Sequence, residues 1–193
     1  MAKPPALQVT GDPVADRLVS TNALALLIGM LLDQQVPMEW AFRGPLTLQE
    51  RIGELDATAI AEMDPDKFEA ICREKPAIHR FPKAMAKRIQ ELCAVVSREY
   101  GNNAAKVWKG APDPDTVFVR LRALPGYGDE KAKIFLAILG KRLQVAPAGW
   151  EPLANPFSDA TPRSVADIGS PAALATVRAW KKQQKAKGKS KQD

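Results

Sequence analysis

Leu121-Arg122-Ala123-Leu124-Pro125-Gly126-Tyr127-Gly128-Asp129-Glu130-Lys131-Ala132-Lys133 is the stretch that decides the fold. It reads as a helix, a tight turn and a second helix. Pro125 stops the first helix, because its ring cannot continue the hydrogen-bond ladder. Gly126 and Gly128 allow positive φ and a close approach of backbone to a ligand. The second helix opens with free N–H groups, which together with the turn amides suit a phosphate oxygen. Lys131 and Lys133 stand close enough to add charge. Leu124 and Ala132 close the hairpin by packing between its helices. Gly-x-Gly alone fits an ordinary helical turn. Leu-Pro-Gly-x-Gly followed by Lys-Ala and an apolar helix is rarer and points to a nucleic-acid backbone. The candidate contacts are Leu124, Pro125, Gly126, Tyr127, Gly128, Lys131 and Lys133. Tyr127 is expected near the nucleic acid, since the turn leaves little room to bury it.

Outward from this turn the chain reads as almost entirely helical. Apolar residues recur at three- and four-residue spacing, and no alternating stretch stands out. The pattern predicts helices at 13–19, 22–34, 37–43, 46–54, 57–63, 65–74, 82–100, 114–123, 129–142 and 171–184. Asp12-Pro13, Asp64-Pro65, Asp113-Pro114 and Ser170-Pro171 each place a capping side chain before a proline at the first helical position. The longest helix, 82–100, carries Met85, Ile89, Leu92, Val95 and Val96 as its buried stripe. Gly101-Asn102-Asn103 ends it. The stretch from Leu143 to Ser170 is too proline-rich for a long helix and too apolar for a free linker.

The chain has 193 residues, 46% of them apolar, enough for a core and too many for a disordered chain. Its longest apolar run, Ala23–Leu32, is too short to cross a bilayer. The start lacks a signal-peptide apolar region, so a cytoplasmic protein with no membrane partner is expected. The net charge is +6, of which +5 sits in the last 13 residues, Lys181 to Asp193. That tail is expected to be disordered beyond its first turn. It either solubilises the chain or lends it salt-sensitive affinity for nucleic acid.

Two segments resemble the HhH-GPD superfamily of base-excision DNA glycosylases. Leu124-Pro125-Gly126-Tyr127-Gly128 looks like its helix–hairpin–helix. Leu31-Leu32-Asp33-Gln34-Gln35-Val36-Pro37 resembles the segment in which a Leu-rich helix ends in a Gln-containing turn. The likeness covers residues 20–142 well and the rest poorly. It implies an all-α, two-lobed fold, with the target base flipped into the cleft between the lobes. Residues 20–142 are assigned to the hairpin lobe, and 1–19 with 143–180 to the second. It further implies damaged or mismatched duplex DNA as partner; a monomer is the default for a chain of this size, and no cofactor is expected. Gln34 and Gln35 resemble the side chain that fills the gap left by a flipped base, and Gln35 aligns best. The alternative is an ordinary helix end, with Asp33 as a cap.

Three departures stand against the likeness. The family places an Asp soon after the hairpin, where it stabilises positive charge on the sugar. Here Leu143–Trp150 holds none. Ser164-Val165-Ala166-Asp167-Ile168 resembles the approach to it after an insertion, which makes Asp167 the candidate catalytic residue, ahead of Asp159 and Glu151. Its bland alternative is a capping carboxylate. Bifunctional members carry a nucleophilic Lys where this chain has Glu130. Lys131 is one residue on, turned about 100° round the helix, and is expected on phosphate. Finally, Cys72 and Cys93 cannot build the iron–sulfur cluster of some branches, and no metal site is expected. The last helix must then be held by Leu174, Val177 and Trp180.

The resemblance thus implies a monofunctional glycosylase, acting by base flipping and attack of water. The runner-up is a non-catalytic hairpin DNA-binding protein that lost the Asp. A third reading, a helical partner-binding module, treats the hairpin as only a turn. Trp40 and Phe42 are either core residues or walls of a base pocket. Arg80, Lys83, Lys87 and Arg88 form either a solvated face or a phosphate track. His79, the only histidine, lacks a triad or metal pattern and reads as structural.

Overall fold

The computed structural model describes residues 5–193. Among them there is no strand, and ten α-helices follow in chain order. They are α1 (Pro13–Thr21), α2 (Ala23–Leu32), α3 (Met38–Ile52), α4 (Ala57–Glu62), α5 (Pro65–Arg73), α6 (Pro82–Tyr100), α7 (Pro114–Ala123), α8 (Asp129–Ile138), α9 (Glu151–Ala154) and α10 (Pro171–Ala186). A 3-10 turn, Ala104–Val107, precedes α7, and a π turn, Leu139–Leu143, extends α8. A second 3-10 turn, Val165–Asp167, leads towards α10. Among the described residues, no single helix is long and apolar enough to cross a membrane.

The four Asp/Ser-Pro starts behave as their chemistry dictates. Asp12, Asp64, Asp113 and Ser170 accept backbone N–H groups of Val14, Lys67, Thr116 and Ala173, with a proline first in each helix. Each such cap is worth about 1 kcal/mol.

At Pro45 the sequence predicts a break, and α3 instead runs through it. A proline inside a helix costs about 3 kcal/mol. Packing outweighs that cost. Phe42 and Leu48 are fully buried, and a Cβ on Gly44 would lie 2.4 Å from Leu32 Cδ1. Helices α2 and α3 therefore cross closely at Gly44, where any larger residue would displace the Leu32 side chain. The α9 helix and the 3-10 turns are too short to leave a periodic signal.

Nine of the ten residues of α2 are buried. A helix apolar on every side belongs inside a core. It packs against α1, α3, α6 and the Ala104–Val107 turn. The hydrophobic cluster around it extends to Phe157, Ile168 and Val177 of the C-terminal region. Leu7 and Val9 are buried too, and Gln8 donates to the carbonyls of Ile168 (3.4 Å) and Gly169 (3.0 Å). The segment before α1 thus packs on residues near 168.

The basic end differs from expectation. Lys, Gln and Ala are good helix formers, and α10 continues through them to Ala186. Beyond it the chain turns back, and Lys191 Nζ and Gln192 Nε2 reach the Glu130 carboxylate at 3.4 and 3.2 Å. Arg163 donates to the Lys191 carbonyl and lies over the Trp180 ring. Val177 is the one fully buried residue of α10. Cys72 and Cys93 are buried, and burial raises both thiols, that of Cys72 to about 12. They are inert by that criterion.

Candidate nucleic-acid interface

The hairpin between α7 and α8 is closed by two short backbone bonds. Leu124 N–H donates to Leu121 O at 3.2 Å, and Tyr127 N–H donates to Leu124 O at 3.0 Å. Gly126 has φ +80°, and a Cβ there would lie 2.2 Å from Leu31 Cδ1. The positive φ thus calls for glycine, and a Cβ would also push the Leu31 side chain of α2 aside. Gly128 opens α8 without a side-chain cap. Gly126 and Gly128 are both exposed, so this edge of backbone amides faces solvent. The first turn of α8 carries two acids, which would repel a phosphate. Each has a counter-charge: Arg122 Nε lies 2.5 Å from Asp129, and Lys191 holds Glu130.

Two residues of this motif lie elsewhere than the sequence suggests. Tyr127 is buried, not poised at the surface. Its hydroxyl donates to Leu27 O at 2.8 Å, and its ring meets Phe135 edge-on. The left-handed turn at Gly126 swings the next side chain inward onto α2. Lys131 also points into the protein. Its Nζ donates to the carbonyls of Met30 (2.5 Å), Leu31 (3.2 Å) and Asp33 (3.0 Å). It caps the C-terminal end of α2 and is not free for a phosphate. Burial lowers its amine to about 8, against the attraction of Asp33. Leu124 is buried as hairpin packing. Lys133 is half-buried and makes no hydrogen bond or ion pair among the described residues.

The Gln34-Gln35 turn follows α2 directly, beside the hairpin. Gln34 is held on every polar atom. Its Nε2 donates to Leu31 O and Met85 Sδ, its Oε1 accepts from Arg88, and its carbonyl lies 2.9 Å from His79 Nε2. Phe81 N–H donates to His79 Nδ1 at 3.0 Å, which places the ring proton on Nε2. His79 is fully buried, and burial lowers its pKa. Gln35, by contrast, is exposed at the tip with φ +56°. Its side chain has no hydrogen-bond partner among the described residues.

The carboxylates differ in freedom. Asp167 Oδ1 accepts from Lys141 at 2.6 Å, and its Oδ2 accepts from the N–H groups of Arg163 and Ser164. It is the reciprocal member of a capping box. Asp159 is tied to Arg163 and Thr161. Glu151 is exposed in the first turn of α9. Asp33 is the missed candidate. No hydrogen bond reaches its carboxylate from a described side chain, and it exerts the strongest attraction on the amines of both Lys131 and Lys181. Lys181 Nζ lies 3.0 Å from Met38 Sδ, and Arg178 pairs with Glu39 at 2.5 Å, so α10 closes against the start of α3. Asp33 follows the Leu run as a cap residue should, which concealed it.

Phe42 is core. Trp40 is partly exposed, with Nε1 donating to Ala77 O and its ring tilted against His79. Of the basic run, Arg88 holds Gln34 and Arg80 lies over Phe81. Lys83 and Lys87 are about four-fifths exposed, in long pairs to Glu69 and Glu91. No sequence signal marks His79 or Arg88 as supports of the Gln turn, because their partners are 45 and 54 residues away.

Residues 28–192 match the family described as HhH-GPD superfamily base excision DNA repair protein. No curated protein matches the sequence. Among solved structures, a trapped endonuclease III–DNA covalent intermediate is 18% identical over 81% of this chain, with a TM-score of 0.45. A non-covalent endonuclease III–DNA complex is 19% identical over 83%, with a TM-score of 0.47. The chain spans 66% of the first of those proteins and 71% of the second.

Proposed function

The chain belongs to the HhH-GPD superfamily of base excision DNA repair proteins, and from that premise we propose that it is a monofunctional DNA glycosylase. It would hydrolyse the N-glycosidic bond of a damaged or mispaired base flipped out of duplex DNA, acting as a monomer. The observation that carries this reading is the docking of the hairpin on the Gln turn. Gly126 meets Leu31, Tyr127 meets Leu27, and Lys131 meets Asp33. A backbone edge suited to phosphate and a free planar side chain, Gln35, are therefore held in one rigid unit. Phosphate contact by Gly126, Gly128 and Lys133 fixes the duplex, and Gln35 enters the gap left by the flipped base.

Water is the nucleophile in this reading. Glu130 stands where bifunctional relatives carry a lysine, and the Lys131 amine is committed to three carbonyls. Two carboxylates compete for the role of stabilising the sugar cation. Asp167 would have to leave Lys141 to act. Asp33 adjoins the Gln turn beside the Lys131 and Lys181 amines, its carboxylate accepts no hydrogen bond from a described side chain, and on that count we favour it.

A second reading is a non-catalytic hairpin binder, favoured by the full engagement of Asp167 and Asp159. A base-release assay on a panel of lesion-bearing duplexes, with and without hot alkali, separates the two. Product after alkali only, lost in Asp33→Asn and retained in Asp167→Asn, supports the glycosylase with Asp33 at its centre. Loss in Asp167→Asn alone returns the role to Asp167. No release on any lesion, with salt-sensitive binding intact, replaces the glycosylase by the binder.

A further inference from the structure

The π turn Leu139–Leu143 places Lys141 and Arg142 side by side at the far end of α8. It is how α8 ends, with Gln144 left-handed at its close and the N–H of Gln144 and Val145 on Leu139 O. Both cations line a cavity of about 570 Å³, together with Ser158, Asp159, Asp167 and Thr176. That volume is in the range of small-ligand sites. The two carboxylates there are already satisfied, Asp167 by Lys141 and two backbone amides, Asp159 by Arg163 and Thr161. Lys141 is spent on Asp167 and on the Asp159 carbonyl.

Arg142 is the exception. It forms no ion pair with a described residue, and its Nε is buried without a hydrogen-bond partner. Gly169 makes room for its head group, since a Cβ there would lie 1.9 Å from Arg142 Nη1. The guanidinium has no carboxylate partner among the described residues, and an anion in the cavity that reached its outer nitrogens would satisfy their donors. The first turns of α10 pass the same cavity at Ala173 and Thr176, bringing the positive end of a helix dipole.

We propose that this cavity is a phosphate site in which the Arg142 fork grips the oxyanion. A planar guanidinium matches phosphate through paired N–H donors. The phosphate is that of a free nucleotide or of a nucleic-acid backbone. The site lies roughly 20 Å along the helix axis from Gly128 and does not rest on the glycosylase reading.

The test follows the Arg142 Nε–H resonance in the intact, unsubstituted protein. Inorganic phosphate, a deoxynucleoside 5′-monophosphate and a short duplex are titrated at constant ionic strength. The resonance is expected to shift downfield with at least one probe. A shift with phosphate or the monophosphate assigns a free ligand. A shift with the duplex alone assigns a backbone phosphate. A resonance unmoved by the duplex and by about 10 mM phosphate, enough to fill a millimolar site, overturns the proposal. Gly169→Ala, which displaces the guanidinium while keeping its charge, should weaken the response at least tenfold. Lys133→Met should leave the response to inorganic phosphate and to the monophosphate intact. The opposite pattern would put the phosphate on the hairpin and also overturn the proposal.

Discussion

Lys131 Nζ lies 3.0 Å from the carbonyl oxygen of Asp33, 98 positions earlier in the chain. With Met30 and Leu31 it completes a three-carbonyl cap on the end of α2. A helix end leaves such carbonyls without partners, and a cation there also meets the negative end of the dipole. One amine thus fastens the hairpin to the Gln turn.

Replacing that amine should loosen both. Lys131→Met is expected to cost about 1–3 kcal/mol, the usual penalty for buried carbonyls left unpaired. Affinity for duplex DNA should fall about tenfold with the salt slope unchanged, because no phosphate contact is lost. Denaturant unfolding and binding across a salt series check this. Unchanged stability with a shallower slope would mean that Lys131 does reach phosphate.

The same amine should titrate apart from other lysines. Its folded value of about 8 lies below its ordinary 10.5, so the fold favours the neutral form. Stability is therefore expected to rise with pH between about 8 and 10.5 on this group's account. In protein with methyl-labelled lysines, one NMR signal should move with a midpoint near 8 and vanish in Lys131→Met.

Gly126 and Lys133 should separate structure from charge. Gly126→Val forces a β-branched residue to φ +80° beside Leu31. A loss of about 2–3 kcal/mol and of most DNA affinity is expected. Lys133→Met should leave stability alone and lower the salt slope by about one. If the valine variant bound DNA normally, the hairpin edge would not be the contact.

Tyr127→Phe removes one buried hydroxyl bonded to Leu27 O. Thermal unfolding should report a loss of about 1 kcal/mol. Affinity at matched temperature should hold, since the ring faces the core. A large loss of binding without loss of stability would return Tyr127 to the DNA surface.

His79 predicts a pH dependence. Burial holds its folded pKa below the ordinary 6.5, and protonation would set an N–H of the ring against Phe81 N–H. The unfolded chain then binds the proton first. Stability from this group is present above about pH 6.5 and is lost as pH falls below it. His79→Asn should flatten that part of the wild-type profile. Equal slopes in the two proteins would exclude His79 as its source.

Much of this fold was legible because its signals are local. The Asp-Pro and Ser-Pro starts, the long α6 stripe and the Pro125-Gly126 turn need only neighbouring residues. Pro45 misled because the close approach of Gly44 to Leu32 is invisible along the chain. Site residues were harder. Lys131 and Tyr127 sit in a motif whose chemistry suggests DNA, yet their partners lie on α2, a hundred residues away. Asp167 carried a resemblance in its flanking residues, but sequence cannot show that Lys141 and two backbone amides occupy its oxygens.

The burial of α2 on every side also has a kinetic meaning. Such a helix has no solvent face of its own, so alone it is a sticky apolar segment. It gains its environment only when α3, α6 and the hairpin close around it, through contacts far apart in sequence. Folding should therefore be slow for a helical protein. Cutting the chain between α2 and α7 should yield two insoluble pieces, so the hairpin is not a part that can be lifted out and grafted elsewhere.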